Sequence, residues 1–196
     1  MKTHAQGMPA DEAIAKLKEG NLRYLEAHQN PGDISPAIRQ ATLGSQEPYA
    51  IIIACSDSRV VPEAIFSAGI GQLFVIRLAG NVIDNHQLGS IEYAASHLGC
   101  NLVLVLGHDH CGAVDAAINH DPEGYIKFIT DEISKAIGDA SDDYHACCLN
   151  ALHSKAVIEH SLEIQHEEEL GLKVECALYH LETGRVEWLQ PKAAAN

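Results

Sequence analysis

Three short, uninterrupted apolar runs constrain this chain most: Tyr49-Ala50-Ile51-Ile52-Ile53-Ala54, Leu73-Phe74-Val75-Ile76 and Leu102-Val103-Leu104-Val105-Leu106. Runs of this length without polar alternation suit strands buried on both faces, which occur in parallel sheets covered by helices. Helix-like stretches at residues 62–66 and 87–97 separate them, so strand and helix alternate as a parallel sheet requires. Ahead of them, residues 11–28 carry Ile14, Leu17, Leu22 and Leu25 at helical intervals, with acidic residues in the first turn. That pattern predicts an amphipathic helix whose apolar stripe needs a partner surface. Pro31-Gly32-Asp33 and Ser35-Pro36 predict a turn-rich connector after it. Beyond the third run, residues 124–138 and 144–169 predict helices, and residues 173–181 and 185–189, joined by Glu182-Thr183-Gly184, predict a closing strand pair. The expected fold class is α/β: a central, mostly parallel β-sheet flanked by helices, with an N-terminal helical arm and a C-terminal strand pair. No repeat, low-complexity tract or linker divides the chain. Residues 1–196 are therefore expected to form a single domain, with residues 1–40 as the arm and residues 48–190 as the core.

A chain of 196 residues buries enough surface to fold without disulfide staples. Hydrophobic residues make up 46% and charged residues 20%, which is ordinary for a globular protein and unlike a disordered or membrane-spanning one. Residues 1–7 hold no apolar stretch and no small-residue cleavage pattern, so the cytoplasm is the expected location. The 27 acidic residues outnumber the 13 basic ones and give a net charge of -14, which repels nucleic acid and anionic membrane. A small neutral or singly charged substrate remains compatible with that balance. The six cysteines, at positions 55, 100, 111, 147, 148 and 176, read as thiols or metal ligands. Cys100 and Cys176 lie in or beside apolar runs and are expected in the core, and the Cys147-Cys148 pair suits helical packing better than redox chemistry. The 12 histidines are scattered, most of them expected at the surface or satisfied in the core. Glu167-Glu168-Glu169 reads as a solvated helix end.

The chemistry concentrates in two places. Cys55 directly follows the first apolar run, and His108 follows the third after Gly107. Residues at the carboxyl ends of parallel strands converge on the crevice where open α/β sheets bind ligands, so these two can meet. Cys111 stands three residues past His108, close enough for one loop to wrap an ion. Two thiolates and one imidazole form a soft donor set suited to Zn²⁺, with a fourth position left open. A closed structural zinc site, or two buried thiols near an unrelated histidine, would use the same residues. Asp57 and Arg59, just beyond the first thiol, argue for a reactive site, because a structural staple has no use for them. Zn²⁺ with two thiolates and a neutral imidazole is already neutral, and the added Asp57 charge is matched by Arg59 in a bidentate pair.

Ala54-Cys55-Ser56-Asp57-Ser58-Arg59-Val60, the segment from Phe74 through Arg77 to Gly80-Asn81, Ser90-Ile91-Glu92-Tyr93 and Gly107-His108-x-x-Cys111-Gly112-Ala113 together resemble the β-class carbonic anhydrases. The resemblance runs from the first helix through Val114 and returns at Tyr179-x-x-x-Thr183-Gly184-x-Val186, while residues 115–149 match only loosely. It implies one Zn²⁺ per chain on Cys55, His108 and Cys111, with Asp57 and Arg59 as the catalytic pair. It also implies a homodimer or homotetramer whose N-terminal helices pack on the neighbouring subunit and bury the stripe from Ile14 to Leu25. Leu78 stands where the family often has Asn, and Ile52 stands where a bicarbonate-regulated subset carries Trp, so that regulation is not expected. Asp109-His110 brings a second imidazole near the metal; His108 is the better candidate ligand, and His110 is a candidate proton acceptor.

The activity so implied is zinc-dependent, reversible hydration of carbon dioxide to bicarbonate and a proton, by attack of a zinc-bound hydroxide. Zinc lowers the pKa of bound water from about 15.7 to about 7. Two thiolates donate more charge than two imidazoles, so the water is expected to be less acidic and activity to favour alkaline pH. Asp57 would orient the hydroxide and Arg59 would hold Asp57; with that pair broken, Asp57 could close the fourth position. Hydrolysis of COS or CS2 on the same metal set is the near alternative. A non-catalytic zinc-binding module is the more distant one.

Overall fold

The structure, a computed structural model, describes residues 7–26, 32–119 and 122–190. The N-terminal residues read for a leader, apart from Gly7, lie outside the described residues, as do His28 and Pro31. Five strands form one sheet in the order β2-β1-β3-β4-β5: β1 (Ala50–Ala54), β2 (Leu73–Arg77), β3 (Leu102–His108), β4 (Lys173–Tyr179) and β5 (Val186–Trp188). The first four are parallel and β5 is antiparallel to β4, giving the mostly parallel α/β sheet expected from the apolar runs.

Alternation sorts each central strand onto two cores. Ile51, Ile53, Val103, Val105 and Val174 face one side and pack on Ile91 and Ala94 of α4 (Asn85–Leu98), Ala151 and Ile158 of α7 (Asp143–Glu159) and Ile164 of α8 (Leu162–Glu169). Ile52, Leu102, Leu104 and Leu106 face the other side, under Ala13 and Leu17 of α1 (Ala10–Leu25) and Ile65 of α3 (Pro62–Ile65). Both faces are covered, so every side chain of β1 and β3 is buried and a continuous apolar run is the correct signature.

The chain leaves β1 towards β2 and leaves β3 towards β4, in opposite directions along the sheet. The carboxyl ends of β1 and β3 therefore border the crevice at the topological switch point. A third apolar cluster, with Val114 of α5 (Gly112–Asn119), Ile133 and Ile137 of α6 (Ile126–Ile137) and Cys147 of α7, closes over that end beside Cys55 and Cys111.

Several elements depart from the sequence expectations. His108 is the last residue of β3 rather than a loop residue beyond it. Ser35-Pro36 does not turn the chain but starts the short helix α2 (Pro36–Ala41), Ser35 accepting from Ile38 N and proline occupying the first helical position. The helix expected over residues 144–169 is two helices, because the Ser161 side chain accepts from Ile164 N and begins α8. Glu167 is buried at 3% exposure, so the acidic cluster is not wholly solvated. The α1 stripe is used partly at home: Leu17 is fully buried on this chain's own sheet, while Leu22 remains 59% exposed.

Asn21 fixes α1 to the hairpin. Its amide donates to Ile65 O and Gly184 O and its oxygen accepts from Val186 N, at 3.0–3.2 Å. Asn21→Ala removes all three bonds from a buried position and should cost about 2–3 kcal/mol, measured as a lower urea midpoint with an unchanged slope.

Candidate metal centre

Three donor atoms meet at the switch point. Cys55 Sγ, Cys111 Sγ and an imidazole nitrogen of His108 all lie within 4.8 Å of one another, on three buried residues. The two sulfurs are 4.0 Å apart. His108 Nδ1 sits 2.7 Å from Asp109 O, and since a carbonyl only accepts, Nδ1 carries the proton and Nε2 is left with its lone pair. Among the described residues, His108 Nε2 is the one buried side-chain nitrogen or oxygen without a hydrogen-bond partner. A buried acceptor is rarely left so, and two thiols with a bare imidazole nitrogen are the donor chemistry of a zinc site. The residues present therefore fit such an ion.

The backbone around Cys55 is built to carry negative charge. Its sulfur accepts from Gly80 N at 3.2 Å and Asp57 N at 3.4 Å. The hydrogen bond from Cys111 is the largest influence pushing the Cys55 thiol down, to about 4, while that same contact and burial push Cys111 up. A divalent cation bound by both sulfurs would displace thiol protons here. By contrast, burial raises the thiols of Cys100, Cys147 and Cys176 to about 12, as expected of inert core residues. None of the six cysteines is in a disulfide, in line with the thiol expectation.

Asp57 and Arg59 form the pair their spacing suggested. Arg59 Nε and Nη2 donate to Asp57 Oδ1 and Oδ2 at 3.0 and 2.7 Å, and Arg59 N adds a third bond at 2.9 Å. Asp57 Oδ2 lies 4.0 Å from His108 Nε2, so the carboxylate borders the donor group without joining it. The Arg59 hydrogen bonds hold the Asp57 carboxyl well below the usual carboxylate range against the opposing effect of burial. His110 does not enter the donor group; its ring is 71% exposed with Nδ1 3.4 Å from Asp143 Oδ2.

Several supporting residues were assigned no role from the sequence. Arg77, at the end of β2, donates to Cys55 O at 3.0 Å and Asp57 O at 2.6 Å, pinning the loop from beneath. Gly80 lies at φ 66 in a single 3-10 turn, Ala79–Asn81, and that turn is tied to α7 by Asn150 donating to Gly80 O and Ser154 donating to Asn81 O, at 2.8 and 2.9 Å. Asp109 accepts from Leu181 N and contacts His180 Nδ1, whose Nε2 meets Glu187, fastening the donor loop to the β4–β5 hairpin. The one signal available was the glycine itself, since a positive φ favours it.

Fold and site together define an α/β protein with a metal-ready crevice at its switch point. The chain matches the carbonic anhydrase family profile over residues 50–186. It is 44% identical over 138 residues to Carbonic anhydrase 2 of Mycobacterium tuberculosis, covering 66% of this chain and 67% of that one. With the carbonic anhydrase of Mycolicibacterium smegmatis it shares 33% identity over 195 residues, covering 92% and 95% of the two chains. A tetrameric β-carbonic anhydrase from Sordaria macrospora has the same fold, with a TM-score of 0.72 at 23% identity and coverage of 92% and 96%. The chain belongs to the β-carbonic anhydrase family, enzymes of the lyase class with carbonate dehydratase activity.

Two predictions follow from the geometry. A Cβ on Gly80 would lie 2.7 Å from Ile133 Cδ1 and 3.1 Å from Ala113 Cβ, in a backbone region side chains disfavour. Gly80→Ala should destabilise by about 1–2 kcal/mol in urea unfolding, with Ile133→Val recovering only the steric part. Because the Asp57 carboxyl is depressed in the fold, its pairing stabilises the protein fully above the unfolded value of about 3.9 and is lost as pH falls through the folded one. In metal-free protein, Asp57→Asn should therefore cost stability at neutral pH and progressively less below about pH 4 in the same unfolding measurement.

Proposed function

We propose that this protein catalyses the zinc-dependent, reversible hydration of carbon dioxide to bicarbonate and a proton. The observation that carries this reading is the unpartnered Nε2 of His108 beside the two thiols, with the Asp57–Arg59 pair alongside. Cys55, His108 and Cys111 are the residues that would hold one Zn²⁺ per chain, and Asp57 and Arg59 are the catalytic pair. A bound zinc ion would supply the Lewis acidity that makes water a far stronger acid than in bulk.

This chain's own residues do the rest. Asp57, held ionised by Arg59, is acceptor-only, so it would accept a hydrogen bond from the attacking oxygen, which keeps its proton, and so aim that oxygen's lone pair at the carbon of CO2. Arg59 fixes the carboxylate through three bonds, sparing the reaction the entropy of orienting it. Gly80 N and Asp57 N spread the charge of the Cys55 thiolate, and Arg77 keeps the loop bearing both residues in register.

The reading extends to the chain as a whole. Residues 48–190 form the catalytic unit and residues 1–40 an arm. A homodimer or homotetramer is supported by β2, an edge strand whose apolar residues stay half-buried, and by exposed Leu22 and Tyr93. No described helix is long and apolar enough to cross a membrane, and a cytoplasmic location is the working assignment.

Metal analysis with stopped-flow CO2 hydration tests the proposal. The wild type should carry one zinc per chain and turn over faster at alkaline pH; Cys55→Ser and Cys111→Ser should lose the metal. Asp57→Ala and Arg59→Ala should keep it while kcat/KM falls by about 10²-fold or more. Full activity in Arg59→Ala would overturn the pair's role, and sulfide release from COS exceeding CO2 turnover would reassign the substrate.

A further inference from the structure

His110 is held in a conformation it would not choose. Its φ of 50 places a non-glycine residue in the left-handed region, one position before Cys111. Contacts on two sides keep it there, besides the 3.4 Å approach of its ring Nδ1 to Asp143 Oδ2. On one side, His110 N donates to Asp143 Oδ2 at 2.9 Å. On the other, His110 O accepts from Arg59 Nη2 at 3.1 Å, the same nitrogen that donates to Asp57 Oδ2 at 2.7 Å. Asp143 is the first residue of α7, whose helix start is already capped by Asp142 accepting from His145 N, so the Asp143 carboxylate is available to the neighbouring loop. One helical turn on, Cys147 packs against the Cys111 backbone N–H, so α7 reaches both peptides that lead into the second thiol.

We infer that Asp143 is a positioning residue for the Asp57–Arg59 pair, acting through the His110 backbone. This rests on the proposed hydration function. Arg59 is 55% exposed, and among the described residues its side-chain hydrogen bonds apart from those to Asp57 go to the His110 carbonyl. Without an acceptor at 143, the His110 peptide is free to rotate to negative φ and withdraw that carbonyl. Arg59 then keeps its bonds to Asp57 but loses its other side-chain hydrogen bond among the described residues, so the pair is no longer anchored to the donor loop. Asp57 Oδ2 already lies 4.0 Å from His108 Nε2, so a small swing brings it among the metal donors and closes the position a reacting water needs. Asp143 therefore keeps the site open, and does so by hydrogen-bond geometry rather than by its charge.

The test uses full-length protein loaded with Zn²⁺ or Co²⁺. Asp143→Ala removes the acceptor, while Asp143→Asn keeps an oxygen able to accept from His110 N. Asp143→Ala should still bind one metal per chain, yet bind thiocyanate at the cobalt centre about 10-fold more weakly, seen in the visible spectrum, with a similar fall in kcat/KM for CO2. Asp143→Asn should restore both to within about 3-fold of the wild type. Wild-type thiocyanate affinity in Asp143→Ala would overturn the inference, as would an Asn variant as impaired as the Ala variant. Asp143→Ser, which keeps a good helix-start residue but cannot reach His110, replaces Asp143→Ala should that protein not fold. If the wild type binds thiocyanate at cobalt but does not hydrate CO2, the hydration reading fails while the anion titration still judges Asp143.

Discussion

Two thiols and an imidazole nitrogen, brought within 4.8 Å in a buried crevice, are the constraint around which the rest of this structure is arranged. Apolar surroundings penalise both a thiolate and an acceptor without a donor, so such a trio persists only where neighbouring groups fix it. Here Cys55 and His108 each have their own support. Gly80 N and Asp57 N face the Cys55 sulfur, Asp109 O sets the His108 tautomer, and Arg77 ties down the carbonyls on either side of the Cys55–Asp57 loop. The sheet supplies the frame, since β1 and β3 are hydrogen-bonded neighbours whose chains leave in opposite directions.

Helix α7 braces what the sheet cannot reach. Loops at strand ends carry backbone groups that a crevice shields from water, and those groups need partners. Asn150 and Ser154 supply them for the Gly80–Asn81 turn, and Asp143 supplies one for the donor loop. The same helix buries Ala151 and Ile158 against β3 and β4, so its packing energy and its polar contacts act on one rigid body. A hairpin network of Asp109, His180, Glu187 and Tyr144 anchors the donor loop from the other side. Helix α7 is thereby linked to the Asp57–Arg59 pair through short, named bonds.

The strands were legible because β1 and β3 are buried on both faces, which leaves no polar interruption in their sequence. The meeting of Cys55, His108 and Cys111 and the pairing of Asp57 with Arg59 were legible because their spacing places them at strand ends and within single loops. What was misread followed from local signals weaker than tertiary packing. Helix α5, Gly112–Asn119, is not among the helices expected from the sequence, being a short helix built largely from small residues. Ser35-Pro36 and Ser161 are helix starts whose capping is evident only once the following amides point at the serine oxygen. Glu167 was placed in solvent by its acidic neighbours, yet the end of α8 turns it inward.

The sequence by itself determined the alternation of strand and helix, the donor types and the Asp-x-Arg pairing, because burial periodicity and short-range spacing are local properties of a chain. Tertiary structure decided which distant segments meet. The order β2-β1-β3-β4-β5 sets Cys55 beside His108 across a gap of more than fifty residues, and the seating of α7 brings Asn150 to Gly80 and Asp143 to His110. Such contacts depend on the packing of the whole core, and no residue's immediate neighbours in sequence encode them.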